Sequence, residues 1–303
     1  MLNQWLSFVC GCAYIVFTMH AAPTTTVNDL PLGPGVGLLS SNADGLVALD
    51  KPVGVMAHPN RQGDCKRSLL NAHYDYDAEL YTWQIGGVQH RAWLINRLDS
   101  PTSGVILIAL HEGLSATIKQ LFAQHQVSKV YYALVHGKPA QPAGAWHDRL
   151  NRDVYRDQTG GAGAARIPAK ARYQLVKQSA TDLPVSLLKL MPLTGRTHQL
   201  RMQCQHHGHP IVGDRTYGNF AFNREVLAAS GVKRMLLHSG ETRLRYVLNG
   251  GVRNFHAVAK LPDAFETVMC FRPGRHAGRG AKASATGADS AQTVLRGRRF
   301  KRQ

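Results

Sequence analysis

The chain has 303 residues, of which 44% are hydrophobic, and its formal net charge at pH 7 is +17. This length and composition are enough to bury a sizeable core, so they exclude a wholly disordered chain. The charge arises from 36 Lys and Arg against 19 Asp and Glu, and such a surplus favours a polyanionic partner, most simply nucleic acid. The five cysteines form no Cys-x-x-Cys pair and no zinc-ligand spacing, which favours a reducing compartment over a disulfide framework.

Residues 1–43 are predicted to be a leader or linker in front of the folded domain. Residues 5–18 are apolar and are followed by Ala21 and Ala22, an arrangement that imitates a short secretory signal. No Lys or Arg precedes this stretch, and it is shorter than the about 20 residues of a membrane-spanning helix. We therefore predict a disordered leader or an over-extended start, with a working signal as the alternative, and a cytoplasmic protein without membrane contact.

The hydrophobic pattern predicts one α+β domain over residues 44–272. Order is expected to begin near Gly45, and strands outnumber helices without alternating regularly with them. The predicted strands lie at 46–52, 105–110, 130–135, 171–176, 186–190, 236–238, 242–247 and 255–261. One short helix is predicted within 64–80, further helices at 114–125 and 199–207, and a flexible loop at 156–166.

The last segment, residues 273–303, is predicted to be a basic disordered tail because Ala, Gly, Ser and Arg dominate it. It carries eight Lys or Arg and one acidic residue, Asp289, and so holds a net charge of +7. The rest of the chain keeps a net charge of +10. The folded part is therefore expected to be basic in its own right.

One carboxylate, Asp99, lies in a setting that is typical of a catalytic group. It belongs to the segment Asn-Arg-Leu-Asp-Ser-Pro-Thr-Ser-Gly at 96–104, and the apolar run that follows is typical of a strand buried on both faces. A carboxylate beside such a strand is costly to bury unless a cation meets it. Arg97 is close in sequence, and a second basic cluster lies at 194–201. The alternative is an ordinary turn, since Asp, Ser, Pro and Gly are common turn residues.

Five segments together resemble the RluA-type pseudouridine synthases over about residues 44–270. They are Leu-Asp-Lys-Pro-Val-Gly at 49–54, Arg-Leu-Asp-Ser-Pro-Thr-Ser-Gly at 97–104, Lys-Val-Tyr-Tyr-Ala-Leu-Val at 129–135, Pro-Leu-Thr-Gly-Arg-Thr-His-Gln-Leu-Arg at 192–201 and Gly-His-Pro-Ile-Val-Gly-Asp-Arg-Thr-Tyr-Gly at 208–218. Five such segments in this order are highly specific. The resemblance implies the pseudouridine synthase fold, a mixed and mainly antiparallel sheet around a basic catalytic cleft, and a reaction without a cofactor.

The resemblance also implies an activity and a partner. The chain is expected to be an isomerase that converts a specific uridine of rRNA or tRNA into pseudouridine. The uracil must leave the base stack, lose its bond from ribose to ring nitrogen, rotate and rebond through carbon 5. A carboxylate can attack the ribose, attack the ring or remove a ribose proton, and the sequence leaves these three routes open.

Three residues match the family's catalytic positions. Asp99 falls on the catalytic aspartate, Tyr131 on the tyrosine that packs against the target base, and Arg196 on the basic residue that pairs with the aspartate. A guanidinium there favours the ionised carboxylate in a largely dry pocket. Arg201 is the alternative partner if the pairing lies one helical turn further on. The predicted substrate-binding residues are Arg97, Arg201, Leu237 and His238.

The sequence departs from the family pattern at two positions. Asn96 stands where the family commonly has a histidine before Arg-Leu-Asp, and Gln203 stands where many relatives have a histidine. Asn96 flanks the catalytic residue without carrying the proton chemistry. We therefore expect this departure to affect the positioning of the substrate more than the activity itself.

Two other classes of function stay open. The first is a non-catalytic RNA-binding protein of the same fold, although such a protein has no need for a buried carboxylate. The second is a secreted basic protein, which rests only on residues 5–22.

Histidines 206, 207 and 209 suggest a metal site, but no second ligand cluster accompanies them. We therefore predict no metal. The resemblance implies that no cofactor is needed, and a monomer is predicted separately.

Overall fold

The computed structural model describes residues 25–151, 166–181 and 183–272. The predicted tail, the first 24 residues of the predicted leader and residues 156–165 of the predicted loop lie outside the described residues. Within the described ranges, no helix is long and apolar enough to cross a membrane.

The described residues form twelve β-strands, four α-helices and two short 3-10 helices. The strands are β1 (Gly37–Ser41), β2 (Leu46–Lys51), β3 (His73–Asp75), β4 (Leu80–Ile85), β5 (Val88–Leu94), β6 (Ser103–Ala109), β7 (Ser128–His136), β8 (Ala143–Asn151), β9 (Arg166–Gln178), β10 (Val185–Pro192), β11 (Leu237–Leu248) and β12 (Gly251–Val258). The helices are α1 (Glu112–Ala123), α2 (Gln199–His206), α3 (Phe220–Ser230) and α4 (Asp263–Met269), and the 3-10 helices cover Val27–Asp29 and Gln62–Arg67.

These twelve strands form one sheet, whose main path runs β3-β4-β5-β6-β11-β7-β10-β9-β8. Beside this path, β2 pairs with β6, β1 with β2, and β12 with β11. The pairing of β6 with β11 is parallel, and every other pairing among the described strands is antiparallel. The fold class predicted from the sequence, α+β with a mixed and mainly antiparallel sheet, is therefore confirmed.

Strand β6 lies at the junction of this sheet, and its sequence explains why. All seven of its residues are buried, and β2, β5 and β11 all pair with it. Its side chains alternate between two apolar clusters: Ile106 packs in one with Tyr81, and Leu107 packs in the other with Ile118 of α1. The unbroken apolar run is therefore the sequence of a strand covered on both faces, as predicted.

The structure differs from the predicted elements at the start of the domain and in the first hairpins. Order begins before Gly45, because β1 pairs antiparallel with β2. Residues 64–80 contain part of a 3-10 helix and strand β3 in place of an α-helix. The Asp75 carboxylate accepts hydrogen bonds from the backbone N–H groups of Asp77 and Ala78 (2.9 and 3.0 Å) between β3 and β4. An Asp that closes its own turn competes with helix formation.

The sequence analysis also missed β4, β5 and β8. Strand β8 reads Ala-Gly-Ala-Trp-His-Asp-Arg-Leu-Asn, which has little apolar alternation, yet it pairs with β9 along its whole length. Backbone pairing to a neighbour decides its conformation. Local side-chain pattern contributes little there.

Candidate active site

Asp99 lies in the loop between β5 and β6, and two local features hold that loop in place. The backbone N–H of Thr102 donates to the backbone oxygen of Asp99 (2.9 Å), which closes a turn. Gly104 has a φ of 106°, and a Cβ there would lie 2.1 Å from the backbone oxygen of Ser239 on β11. Only glycine tolerates this conformation and this close approach. The parallel contact between β6 and β11 therefore depends on the glycine that ends the motif.

The cation that meets Asp99 is Arg201, in the first turn of α2. Its Nη1 donates to Oδ2 of Asp99 (2.9 Å), while Nε and Nη2 donate to the two carboxylate oxygens of Asp214 (2.7 and 2.9 Å). The Arg201 side chain is only 6% exposed. One guanidinium therefore bridges two carboxylates and is held rigidly by the bidentate pair with Asp214.

Arg196, the partner first predicted for Asp99, does not contact it. Arg196 is exposed in the loop before α2, and its Nε donates to the backbone oxygen of Pro168 (3.3 Å). The predicted alternative, Arg201, makes the pairing instead. The reason is the start of the helix, because Arg201 lies on its buried side whereas Arg196 precedes it.

Asp214 pairs with Arg201 at this site, although the sequence analysis assigned it no role. Its side chain is fully buried, and Oδ1 also accepts the backbone N–H groups of Thr216 (2.8 Å) and Tyr217 (3.0 Å). Burial acts to raise the pKa of Asp214, but the bonds and charge of Arg201 and the two N–H groups outweigh it and hold the pKa below its ordinary value. A permanent negative charge thus anchors Arg201. Asp214 lies in the fifth family segment, at 208–218, and this position could have identified it as a candidate site residue.

Tyr131 lies on β7 and lines the same cavity as Asp99. Its neighbours in the sheet are Leu190 of β10 and Ser239 of β11. Burial raises the pKa of Tyr131 to about 12; the Ser239 side chain opposes this shift, and the charge of Asp99 adds to it. The phenol therefore keeps its proton at neutral pH and presents a neutral hydroxyl and an aromatic face.

Tyr131→Phe is expected to slow the chemical step while RNA affinity is kept, because the ring remains and the hydroxyl is lost. Tyr131→Ala should lose both, since stacking a base on an aromatic ring is worth about 1–3 kcal/mol. Single-turnover rates and RNA affinities of the two variants, measured side by side, test this. Identical rates for Phe and Ala would show that Tyr131 is only a core residue.

The main cavity at Asp99 has a volume of about 600 Å³, which is enough for a flipped nucleoside. Three cationic side chains, Arg97, Lys129 and Arg196, line it. Asp99 is the one acidic lining residue in the described part of the chain. A single carboxylate inside a basic cleft fits an anionic polymer whose reacting group is a neutral base.

Leu237 and His238, predicted together as substrate-binding residues, are separated by the structure. Leu237 lines a smaller adjoining cavity that Asp99, Tyr131 and Arg201 also line. His238 is 1% exposed and lines neither cavity; its Nδ1 lies 2.9 Å from Oγ of Ser103. Burial lowers the pKa of His238 to about 4, so the ring is neutral. Successive strand residues point to opposite faces, so only one of the two can face the substrate.

His198 is a second neighbour of Asp99 that the sequence analysis did not assign. Its Nε2 lies 3.6 Å from Oδ2 of Asp99, and its Nδ1 lies 3.2 Å from the hydroxyl of Tyr217. The backbone φ angle of His198 is 53°, which is unusual for a residue other than glycine. Burial lowers the pKa of His198, although the charge of Asp99 opposes the shift. This strained residue at the start of α2 turns the chain so that Arg201 reaches Asp99.

Lys51, from the first family segment, is fully buried and contacts the loop between β5 and β6 that carries Asp99. Its Nζ donates to the backbone oxygens of Val55 (2.6 Å), Pro52 (3.1 Å) and Ser100 (3.2 Å). Burial lowers the pKa of Lys51 to about 7, Asp99 and Asp50 oppose the shift, and the charge of Arg234 adds to it. The ammonium group ties the residue next to Asp99 to β2.

Lys51 is expected to make the protein more stable as the pH rises from about 7 to about 10. Its pKa in the unfolded chain returns to the ordinary 10.5, so between the two values the unfolded state binds the extra proton. By linkage, the free energy of unfolding then increases with pH in this window. Denaturant unfolding at several pH values should show a flatter profile for Lys51→Met than for the parent. The same slope in both proteins would contradict the shift.

The two departures from the family pattern have structural roles. Asn96 Oδ1 accepts the backbone N–H of Leu107 (2.9 Å) and so ties the loop that carries Asp99 to β6. Gln203 is buried, and its Nε2 donates to Oδ2 of Asp148 (2.7 Å). His206 and His207 lie 3.8 and 3.2 Å from Oδ1 of the same carboxylate. No group of three His, Cys, Asp or Glu in the described residues could hold a metal ion.

The chain is similar in sequence to known enzymes. The family model for RNA pseudouridylate synthase matches residues 45–206. The tRNA pseudouridine synthase C of Yersinia pestis is 32% identical over 215 residues, which cover 68% of this chain and 79% of the relative. That of Vibrio cholerae is 32% identical over 212 residues, which cover 66% and 82%. An uncharacterized RNA pseudouridine synthase of Chlorobaculum parvum is 29% identical over 279 residues, which cover 86% and 80%.

The fold is also similar to solved structures. Human RNA Pseudouridylate Synthase Domain Containing 1 superimposes with a TM-score of 0.57 at 20% sequence identity, over 79% of this chain and 91% of that one. The family match covers more than half of the chain and includes Asp99, Tyr131 and Arg201. These residues meet at one basic cavity within the shared fold. The chain therefore belongs to the RNA pseudouridylate synthase family, as an isomerase that converts uridine in RNA into pseudouridine.

Proposed function

We propose that this enzyme modifies a uridine of tRNA and that Asp99 is its catalytic carboxylate. The observation that carries the proposal is the ion pair between Asp99 and Arg201, which the buried Asp214 holds from the other side. The relatives from Yersinia pestis and Vibrio cholerae are named tRNA pseudouridine synthase C, which supports tRNA as the substrate class. The basic cavity around Asp99 supports binding of an RNA strand.

The ion pair leaves one oxygen of Asp99 available to the substrate. Oδ2 accepts from Arg201 and lies near His198, whereas Oδ1 has no hydrogen-bond partner in ranges 25–151, 166–181 and 183–272. An ionised carboxylate with a free oxygen can attack the ribose, attack the ring or remove a ribose proton. All three routes need the anionic form, and the hydrogen bond from Arg201 fixes the orientation of that carboxylate.

Tyr131 is proposed to serve the later proton step. Isomerisation breaks the bond from ribose to ring nitrogen and forms a bond from ribose to carbon 5, so carbon 5 must lose a proton and the freed ring nitrogen must gain one. Because burial raises the pKa of Tyr131 to about 12, its hydroxyl is protonated at neutral pH and can donate that proton to an acceptor. The residue can therefore relay a proton while its ring supports the flipped base.

The exposed cations at the cavity are proposed to bind RNA phosphates. Arg97 and Arg196 are exposed, and neither forms an ion pair with a carboxylate of the described residues. Cations without a carboxylate partner beside a cavity of nucleoside size are available to bind phosphates of an RNA strand whose target base is flipped into it. The basic tail at 273–303 is proposed to add further affinity without sequence preference.

Arg196→Ala is expected to weaken RNA binding while leaving the single-turnover rate at saturating RNA unchanged, because Arg196 does not touch Asp99. The salt dependence of binding should become shallower by about 0.7 log units per tenfold change in salt, the value for one phosphate contact on a single strand. Affinity at several salt concentrations and the saturating rate check this. A normal affinity with a reduced rate would place Arg196 in the chemical step.

The proposed substrate is tested by mapping pseudouridines in cellular tRNA and rRNA with and without this gene. One tRNA uridine should lose its modification in the deletion strain and regain it with the parent gene, but not with Asp99→Asn. Loss confined to rRNA would overturn tRNA as the substrate. No loss anywhere would favour a non-catalytic RNA-binding protein. We also propose that the enzyme works in the cytoplasm as a monomer.

A further inference from the structure

A second basic cavity adjoins the catalytic loop. It has a volume of about 370 Å³, and Ser100 and Arg201 connect it to the cavities at Asp99. Its own cations are Arg215, Lys233 and Arg234. No acidic residue of the described ranges lines it. It is therefore a separate positive pocket next to the site of reaction.

Arg234 is the least exposed of the three cations that belong to this pocket alone. The residue is half-buried, its Nη2 donates to Oγ of Ser103 (2.6 Å), and its Nε donates to the backbone oxygen of Met235 (3.1 Å). Its Nη1 has no hydrogen-bond acceptor, and no carboxylate forms an ion pair with it, in the part of the chain that the structure describes. The Phe265 ring centroid lies 5.9 Å from the Cζ of Arg234, and the charge of Asp50 acts on Arg234 from beyond ion-pair distance. A half-buried guanidinium without a directly paired anion is costly, so a bound anion would be stabilised there.

The position of Arg234 links the pocket to the active site. Ser103, which accepts from Arg234, begins β6 and also lies 2.9 Å from His238 on β11. Pro101 and Ser100, in the catalytic loop, line the pocket directly. An anion bound there would therefore touch the loop that carries Asp99.

We propose that this second cavity binds a phosphate of the substrate RNA near the target uridine. The two exposed cations, Arg215 and Lys233, provide attraction at the surface, and Arg234 provides a fixed donor further inside. Guanidinium groups match the oxygens of a phosphate, and phosphate contacts set the register of a nucleic acid on a protein. The inference rests on the proposed action on RNA and adds a second anchoring point, separate from Arg97 and Arg196.

The test removes the charge from one partner at a time. A stem-loop RNA that contains the mapped uridine is made with a neutral methylphosphonate linkage at each phosphate near the target. Each RNA is bound to the parent and to the double variant Arg215→Gln/Lys233→Gln. Both substituted side chains are exposed, so the variant is expected to fold. In the parent, one linkage should weaken binding about tenfold, the loss expected for hydrogen bonds to a charged group. In the double variant, the same linkage should have little further effect.

Two further variants complete the design. Lys177→Gln removes an equal charge from an exposed position that lines none of the cavities described above, and it should behave as the parent does. Arg234→Lys keeps the charge but loses the forked guanidinium. Once thermal unfolding has confirmed that this variant is folded, the linkage that weakens parental binding should have little further effect on it, as in the double variant. The proposal is overturned if every linkage weakens the parent and the double variant by the same factor. It is also overturned if inorganic phosphate binds the pocket while no RNA linkage is coupled to it.

Failure of this inference is distinguishable from failure of the proposed function. Lys177→Gln, which lies outside the proposed pocket, should form pseudouridine at the parental single-turnover rate when RNA is saturating. A parent enzyme that modifies the stem-loop but shows no coupled linkage refutes only the phosphate pocket. A parent enzyme that modifies no RNA refutes the proposed function itself.

Discussion

Asp99→Asn is expected to abolish pseudouridine formation, with a single-turnover rate at saturating RNA that falls at least about 10³-fold. Asparagine keeps the size of the side chain and one oxygen to accept from Arg201. It has no negative charge with which to attack the ribose or the ring, or to remove a proton. The rate is measured by tritium release from RNA labelled at carbon 5 of uracil, because that hydrogen leaves in every route.

Binding separates loss of chemistry from loss of structure. RNA affinity of Asp99→Asn should stay close to that of the parent, since the cations that line the cavity, Arg97, Lys129 and Arg196, are unchanged. Asp263→Asn is the matched control, because Asp263 is 88% exposed at the start of α4 and far in sequence from the catalytic loop. Turnover of Asp99→Asn near the parental rate would refute the assignment of the catalytic carboxylate.

Arg201→Met is expected to reduce both the stability and the activity of the enzyme. The substitution leaves Asp214 buried without its cation, and breaking one partner of a buried ion pair costs about 3–5 kcal/mol. It also removes the hydrogen bond that orients the carboxylate of Asp99. Denaturant unfolding and single-turnover kinetics should therefore both change, unlike in Arg196→Ala, where only RNA binding changes.

A second variant separates the two effects of Arg201. In Arg201→Met/Asp214→Asn the buried charge is gone, so much of the lost stability should return. Activity should stay low, since Asp99 still lacks its partner. Recovery of the rate together with stability would show that Arg201 acts only as a structural residue.

The stability of these variants should depend on pH in a defined direction. In the parent, Asp214 has a lowered pKa, so its contribution to stability is present above its ordinary value of 3.8 and is lost as the pH falls through its folded value. In Arg201→Met the buried carboxylate is no longer paired and takes up a proton more readily. The difference in unfolding free energy between parent and variant should therefore shrink as the solution becomes acidic.

Several parts of this protein follow from local sequence patterns. The apolar run at 105–110 is strand β6 except for its last residue, and the helical spacing predicted at 114–125 corresponds to α1. Both patterns depend on residues close together in the chain, which decide whether a segment buries two faces or one. Asp99 and Tyr131, identified from family segments, line one cavity. Their roles in catalysis stay predictions.

Other local signals were overridden. Residues 64–80 have no strong strand pattern, yet β3 forms there because it pairs with β4 and buries Tyr74. Strand β1 lies in a segment rich in Gly and Ser and is ordered by its pairing with β2. Pairing with another strand supplies backbone hydrogen bonds, and the local side-chain pattern does not predict them.

The choice of partner for Asp99 could come only from the tertiary structure. Arg196 and Arg201 lie in one basic segment, about a hundred residues after Asp99, and the sequence made either a plausible partner. The start of α2 decides between them, because it leaves Arg196 in solvent and turns Arg201 inwards to meet Asp99 and Asp214. In the same way, the register of β11 decides that Leu237 faces the substrate cavity and His238 does not. Helix starts and strand registers are set by packing across the whole domain. The sequence therefore identifies candidate site residues, whereas the tertiary structure determines which of them come into contact.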